Sequence, residues 1–324
     1  MSVSLKKDLR SYEEKDTGKA LIHLLTSLPF ALILFVANYQ FVVLDLYLFF
    51  AIGVMLQVAF LTRLFMILHD CGHNSFVVNN KHNVLLGKLI GVVMLVPLDL
   101  WKVIHNKHHA GAGNLDERSI LDVVTLTVEE YYKLNWLYRV AYRIFRSAWF
   151  QLLVYQQVVF LIGFRIPYSF YTKKGQIAVM KNNVFYILLG IMVYYFLDWK
   201  AFLLSLTVVY YLTFGLGSYI FFIQHQFEEA YWKKADQFDF DKAGIEGSSY
   251  WKLPALLGWI TADIGYHHIH HLNIGIPNYK LAEAHDEVIA KSSLNVPTLD
   301  LLSSFTLFKY KLYDTQQNKM IPFP

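Results

Sequence analysis

Long apolar stretches without a formal charge constrain the fold of this sequence more than any other feature. A helix needs about 20 apolar residues to cross the core of a bilayer. Hydrophobic residues make up 55% of the 324-residue chain and charged residues 17%, whereas a soluble domain has about 25% charged residues. The composition excludes a disordered chain and a typical soluble enzyme. It predicts an all-α integral membrane protein with four transmembrane helices, at Ala20–Ala37, Leu46–Thr62, Val184–Leu197 and Ala201–Ile223.

Two further apolar runs are less suited to crossing. Leu89–Leu98 has only 10 residues, which reach about 15 Å as a helix, half of a bilayer core. Ala148–Phe164 is long enough, but it contains three glutamines and has arginines at both ends. We expect it to form an interfacial or re-entrant helix. If it crossed instead, the chain beyond it would lie on the opposite side of the membrane.

Basic residues predict the orientation. The segment before the first span carries five of them, and the link between the first two spans carries none. The positive-inside rule then places the N-terminus in the cytoplasm. The net charge of +4 is too small to indicate a nucleic-acid partner. We expect one domain over residues 1–324, comprising a cytoplasmic N-terminal segment (1–19), a core (about 20–285) and a cytoplasmic C-terminal segment (286–324).

Thirteen histidines form the second unusual feature, and ten of them fall in four short motifs. Within three of these motifs the spacings i, i+3 and i+4 place the rings on one helix face. Imidazole nitrogen suits iron, copper, zinc and nickel. Nine nitrogens exceed what one ion takes, so the pattern predicts two metal ions held by His69, His73, His105, His108, His109, His225, His267, His270 and His271.

Other metal chemistries lack their residues. The chain has no Glu-x-x-His motif and no His-Glu-x-x-His motif, which carboxylate-bridged di-iron bundles and zinc proteases use. A single cysteine, Cys71, can build neither a disulfide nor a thiolate metal site. With four crossings, all the histidine motifs lie on the cytoplasmic side. We therefore expect a cytoplasmic histidine-rich cap that holds a di-metal centre.

The motifs together resemble one family. HDCGHNSF, HNKHHAGAGNLDE, LTVEEYY, FFIQHQFEEAYW and the stretch containing DIGYHHIHHLNIGIPNYKL are similar to the membrane fatty acid desaturases, most of all the bacterial acyl-lipid desaturases. The resemblance covers most of the chain, from the first span to about Lys280. It implies two ferrous ions as cofactor, dioxygen as co-substrate, and the nine histidines as ligands. Desaturation removes hydrogens that have no acidic character, so no catalytic side chain beyond the metal centre is expected.

Ligand rings usually donate their second N–H to a carboxylate or carbonyl that fixes their orientation. Residues near the motifs that could do this are Asp70, Asn74, Asn114, Asp116, Glu228, Asp263 and His268. The last of these breaks the i, i+3, i+4 pattern and therefore points away from the ligands. The remaining histidines lie outside the motifs, where packing, surface or ring-orienting roles are expected; they are His23, His82 and His285.

These features predict an acyl-lipid desaturase that introduces a cis double bond, at a delta-12/omega-6-like or delta-5-like position, into a membrane lipid. A fatty acyl hydroxylase or related di-iron oxygenase is the first alternative, and a membrane metal transporter or sensor is the second. The chain has neither a His-Pro-Gly-Gly haem motif nor a flavin fingerprint. Electrons must then come from a separate ferredoxin or b-type cytochrome, docking at Glu228–Lys252 or Asn114–Lys133. We expect a multi-pass protein of a bacterial cytoplasmic membrane.

Overall fold

The chain folds almost entirely into helices. A computed structural model describes residues 3–118, 122–292 and 294–324. The helices of this part are α1 (Val3–Arg10), α2 (Thr17–Leu25), α3 (Leu28–Val43), α4 (Tyr47–His73), α5 (Asn80–Val93), α6 (Leu98–Gly111), α7 (Val128–Lys133), α8 (Trp136–Phe145), α9 (Ala148–Phe150), α10 (Gln156–Leu161), α11 (Lys173–Phe196), α12 (Trp199–His225), α13 (Phe240–Glu246), α14 (Ala255–Ile260), α15 (His267–Leu272), α16 (Leu281–Ala284) and α17 (Leu301–Ser304). Its strands are β1 (Leu126–Thr127), β2 (Tyr250–Trp251), β3 (Thr298–Leu299), β4 (Leu312–Asp314) and β5 (Lys319–Ile321).

Four helical segments of the described chain are long and apolar enough to cross a membrane, which confirms the predicted number. They are Thr17–Val43, Tyr47–His73, Lys173–Phe196 and Trp199–His225. The third helix starts well before the short apolar run that predicted it. Asn183 lies inside this helix and donates from Nδ2 to the Arg165 carbonyl oxygen over 2.6 Å. This hydrogen bond lowers the cost of placing the Asn183 side-chain nitrogen within the helix.

Two helix pairs bend sharply, and each would add one span if the pair crossed as a unit. The axes of α5 and α6 differ by 101°, so Leu89–Leu98 is not part of one straight crossing helix. The axis also turns by 60° between Trp136–Phe145 and Ala148–Arg165. A π-helical turn interrupts the second segment at Gln151–Tyr155. The interfacial or re-entrant placement of Ala148–Phe164 stays a prediction.

The chain divides into two compact units. We call Asp16–Lys102 with Gln156–Gly217 the membrane unit, and Met1–Lys15 with Val103–Tyr155 and Ser218–Pro324 the histidine unit. Inside the membrane unit, Asn38 and Gln57 are buried and join α3 to α4 by an amide hydrogen bond of 2.6 Å. A further hydrogen bond joins α11 to the C-terminal end of α5, where Tyr186 donates to the Val92 carbonyl oxygen over 2.9 Å. These hydrogen bonds connect the apolar helices of the unit.

The histidine unit contains the short strands, which the all-α prediction did not include. Parallel pairing joins β1 to β4, antiparallel pairing joins β4 to β5, and β2 pairs with β3 in parallel. Leu312 of β4 is completely buried and packs with Tyr131 and Tyr142. This cluster brings the C-terminal segment against the residues that follow the second histidine motif.

Candidate metal centre

The first histidine motif ends helix α4 in the membrane unit. His69 and His73 lie one turn apart, with ring centroids separated by 4.8 Å. The Trp101 ring packs against both, at 5.7 Å and 6.5 Å. Gly72 permits this contact, since a Cβ at that position would lie 2.5 Å from the Trp101 ring. Asp70 Oδ1 lies 3.1 Å from His69 Nδ1, and its ring-orienting role stays a prediction.

The other two motifs meet within the histidine unit. Helix α6 carries His105 and His109 one turn apart, and the short helix α15 carries His270. The Nε2 atom of His109 lies 3.0 Å from Nε2 of His105 and 3.0 Å from Nε2 of His270. We call these residues the three-histidine group. A neutral imidazole has one lone-pair nitrogen, so three converging Nε2 atoms suit a shared cation.

A second cluster of the same unit, the four-histidine group, consists of His108, His225, His267 and His271. One ring nitrogen from each comes within 4.8 Å of all the others, and all four side chains are buried. Helix α6 supplies the first residue, the last turn of α12 the second, and α15 the remaining two. Their arrangement needs no carboxylate, and it gives four nitrogen ligands to one site.

Hydrogen bonds fix the tautomer of His225. Its Nδ1 atom lies 2.9 Å from the carbonyl oxygen of Gly247. A carbonyl oxygen only accepts, so Nδ1 carries the proton and Nε2 keeps its lone pair. That lone pair faces His267 Nε2 at 3.0 Å. Two ring nitrogens this close together in a buried site fit the binding of one metal ion by both rings.

His108 shows the same pattern with a carboxylate. Its Nδ1 atom lies 2.7 Å from Asp122 Oδ1, which directs the proton to Nδ1 and the lone pair to Nε2. The Nε2 atoms of His108 and His271 are buried and have no hydrogen-bond partner among the described residues. Buried polar atoms without a partner are costly, and a metal ion would satisfy both. The residues present therefore fit a transition-metal ion.

Burial also favours the neutral form of His271, the form that can bind a metal ion. Desolvation, reinforced by His109 and the neighbouring histidines, lowers the pKa of His271 well below its ordinary value. The ring is then neutral at physiological pH, and only a neutral imidazole has a lone pair to offer.

A cavity borders the four-histidine group. His108, Asp122, Phe221, His225 and Trp232 are among the residues that line it. Its wall thus combines two histidines of the group, the carboxylate that contacts one of them, and aromatic rings.

Comparison with known proteins identifies the family. The sequence model described as fatty acid desaturase matches residues 23–299. The chain belongs to the fatty acid desaturase family. A fatty acid desaturase of Bacillus subtilis is 34% identical over 321 residues, covering 98% of this chain and 90% of the relative.

Two cyanobacterial relatives carry more specific names. An sn-1 acyl-lipid omega-3 desaturase (ferredoxin) of Synechocystis is 27% identical over 76% of this chain and 68% of its own length. An sn-1 oleoyl-lipid 12-desaturase of Picosynechococcus is 26% identical over 70% of this chain and 65% of its own length. Their names differ in double-bond position, so this position does not follow from the similarity.

The structure of this desaturase places the nine predicted ligands in two units. Seven lie in the histidine unit, in the two groups described above, and His69 and His73 lie together in the membrane unit. The ligand assignment stays a prediction. The helices α4 and α12 extend beyond the apolar runs, so that His69, His73 and His225 belong to the last turns of candidate spans.

Several predicted ring-orienting residues contact other groups in this desaturase. Asn114 accepts from the Asp116 amide over 2.9 Å, and Asp116 accepts from the Ala235 amide over 2.8 Å. Glu228 accepts from the Tyr310 hydroxyl over 2.5 Å. The remaining two lie in turns with a positive φ, Asn74 at the end of α4 and Asp263 before α15. The ring-orienting role of these five residues stays a prediction.

His268 turns away from the metal-binding groups, as its spacing predicts. Its Nε2 atom lies 2.9 Å from Nδ1 of His285. The sequence predicts a packing, surface or ring-orienting role for His285, and the structure gives it His268 as a partner. Burial lowers the pKa of His268 well below its ordinary value, so the pair is neutral.

Sequence reasoning missed Asp122. This residue follows the second motif by 13 positions, in a segment without helical periodicity, so no spacing rule connects it to His108. The only signal in the sequence is a carboxylate between apolar neighbours, in Leu121-Asp122-Val123. Leu121 itself lies outside the described residues.

Proposed function

We propose that this desaturase introduces a cis double bond into the acyl chain of a membrane lipid, using dioxygen and two electrons from a separate protein. The four-histidine group is the observation that carries the proposal. It combines four buried imidazoles, two fixed tautomers and two ring nitrogens without partners. These features support a metal site whose protein ligands add no negative charge.

We assign two iron ions to the nine histidines. The four-histidine group would hold one ion. The three-histidine group leaves coordination positions open, and His69 and His73 are the proposed ligands that complete it, on the strength of their place in the motif order. When bound, two ferrous ions would supply the redox chemistry that reduces dioxygen while two C–H bonds are oxidised.

The overall reaction balances with two outside electrons. One dioxygen accepts two hydrogen atoms from neighbouring methylenes, which supply two electrons and two protons, together with two donor electrons and two protons from water, and yields one double bond and two waters. The protein's own residues hold and orient the ligands. Asp122 and the Gly247 carbonyl fix ring tautomers, and the buried ring of His271 stays neutral.

The electron donor and the orientation belong to the same proposal. Ferredoxin is named for the relatives from Synechocystis and Nostoc, which supports a ferredoxin here, and a b-type cytochrome is the alternative. Glu228–Lys252 and Asn114–Lys133 are the proposed docking segments; residues 119–121 of the second segment lie outside the described residues. We place the protein in a bacterial cytoplasmic membrane, with the N-terminus and the histidines on the cytoplasmic side.

Expression in a host without desaturases, together with ferredoxin and its reductase, tests the function. Gas chromatography with mass spectrometry of the membrane fatty acids would show a new monounsaturated or further unsaturated chain. A derivative that marks the double bond would distinguish a delta-12/omega-6-like from a delta-5-like position. Hydroxylated chains would support the oxygenase alternative, and unchanged lipids would reject the proposal. His270→Ala serves as the inactive control.

A further inference from the structure

A buried arginine contacts the residues that directly follow Asp122 and His225. Arg146 follows α8, and its side chain is completely buried. Its hydrogen bonds go to neutral oxygens, and no ion pair joins it to a carboxylate of the described chain. A buried charge without a counterion is costly. This cost indicates that the charged guanidinium does something that a neutral side chain could not do.

One arm of the guanidinium contacts the segment directly after Asp122. Nη1 of Arg146 donates to the carbonyl oxygens of Val123 and Val124, at 3.4 Å and 3.3 Å, and to Thr125 Oγ1 at 3.1 Å. Asp122 is the carboxylate bound to His108. The position of that carboxylate thus depends on a segment that Arg146 holds at three points.

The other arm contacts the residue directly after His225. Nη2 of Arg146 donates to Gln226 Oε1 at 2.7 Å and to the Tyr310 carbonyl oxygen at 3.0 Å. The guanidinium also lies over the Phe222 ring, one turn before His225, at 5.7 Å from the ring centroid. Both Val123 and Gln226 line the cavity beside the four-histidine group.

We propose that Arg146 is a positioning residue for the four-histidine group, holding the two segments that present Asp122 and His225 at a fixed separation. Only a planar fork with several N–H donors reaches both segments and Tyr310 at once. A lysine ammonium keeps the charge but lacks the fork. The inference rests on the proposed metal site, and it concerns one of the two ions only.

The test uses Arg146→Lys in the full-length protein, loaded with ⁵⁷Fe in lipid nanodiscs. Mössbauer spectra report each ion separately, and a chelator challenge reports its release rate. We expect the signal of one ion to change and its release to accelerate about tenfold, the lower end of the effect for groups that orient ligands. The second ion keeps its signal. Arg165→Lys is the matched control: Arg165 is partly buried, with its guanidinium over the Tyr186 ring, and we expect the spectrum of this variant to equal that of the wild type.

Gln226→Met provides an independent variant if the lysine variant does not fold. It removes the oxygen that accepts from Arg146 Nη2 and from Thr125 Oγ1, and the same ion should change. Equal loss of both ions in parallel with a lower melting temperature would show a merely structural arginine and overturn the inference. Unchanged spectra in both variants would also overturn it. A wild-type protein that binds no iron would instead contradict the proposed function.

Discussion

Asp122 Oδ1 lies 2.7 Å from Nδ1 of His108. The contact gives His108 one tautomer and aims its Nε2 lone pair at the four-histidine group. We expect Asp122→Leu to lower iron affinity and desaturation 10- to 100-fold, the usual range for a residue that orients a ligand. Asp122→Asn keeps an acceptor and should lose less. Iron per chain and product formation are the measurements.

Asp314→Asn is the control for this prediction. Asp314 accepts from the Gln316 and Gln317 amides, and we expect its variant to stay within about twofold of wild-type activity because it lies outside both histidine groups and both proposed docking segments. Full iron content and full turnover in Asp122→Leu would contradict the role assigned to Asp122.

The sequence predicted what depends on short-range periodicity. The four spans follow from apolar length, and the grouping of His105 with His109 and of His267 with His271 follows from one helical turn. Asp122 and Arg146 could not be predicted in this way, because their partners are reached through non-helical segments. The same holds for Asn183, whose side chain donates to the carbonyl oxygen of Arg165, 18 residues earlier in the chain.

Gly72 tests the packing of the first histidine motif. In Gly72→Ala the new methyl would lie 2.5 Å from the Trp101 ring, which packs against His69 and His73. Overpacking of this kind costs about 1–3 kcal/mol, so we expect a lower melting temperature and weaker iron retention. Gly190→Ala is the matched control, since nothing lies within 4 Å of its added Cβ. If both variants behave like the wild type, Trp101 does not fix these rings.

Variants of His285 and His271 distinguish a structural histidine from a proposed metal ligand. We expect His285→Ala to cost about 1–3 kcal/mol, because it leaves the buried His268 without its 2.9 Å contact. Iron content should remain at two ions per chain. His271→Ala should instead lose iron. Metal analysis and thermal unfolding in the same preparation compare the two, and iron loss in His285→Ala would refute the assignment.

The orientation can be tested with introduced cysteines, because the single native cysteine is buried. Lys200 follows the turn between α11 and α12, whereas Lys174 lies at the start of α11. We expect an impermeant thiol reagent to label Lys200→Cys in intact cells and to label Lys174→Cys only after the membrane is opened. The reverse pattern would place the histidines outside the cytoplasm.

We propose that this chain couples the reduction of dioxygen to acyl desaturation at a two-iron histidine site. The most direct measurement uses the purified protein in nanodiscs of its lipid substrate, with reduced ferredoxin, and counts dioxygen consumed, electrons supplied and double bonds formed. We expect one double bond for every dioxygen and every pair of donor electrons consumed, and no double bonds in His270→Ala. Oxygenated chains, or iron binding without substrate-dependent oxygen uptake, would contradict it.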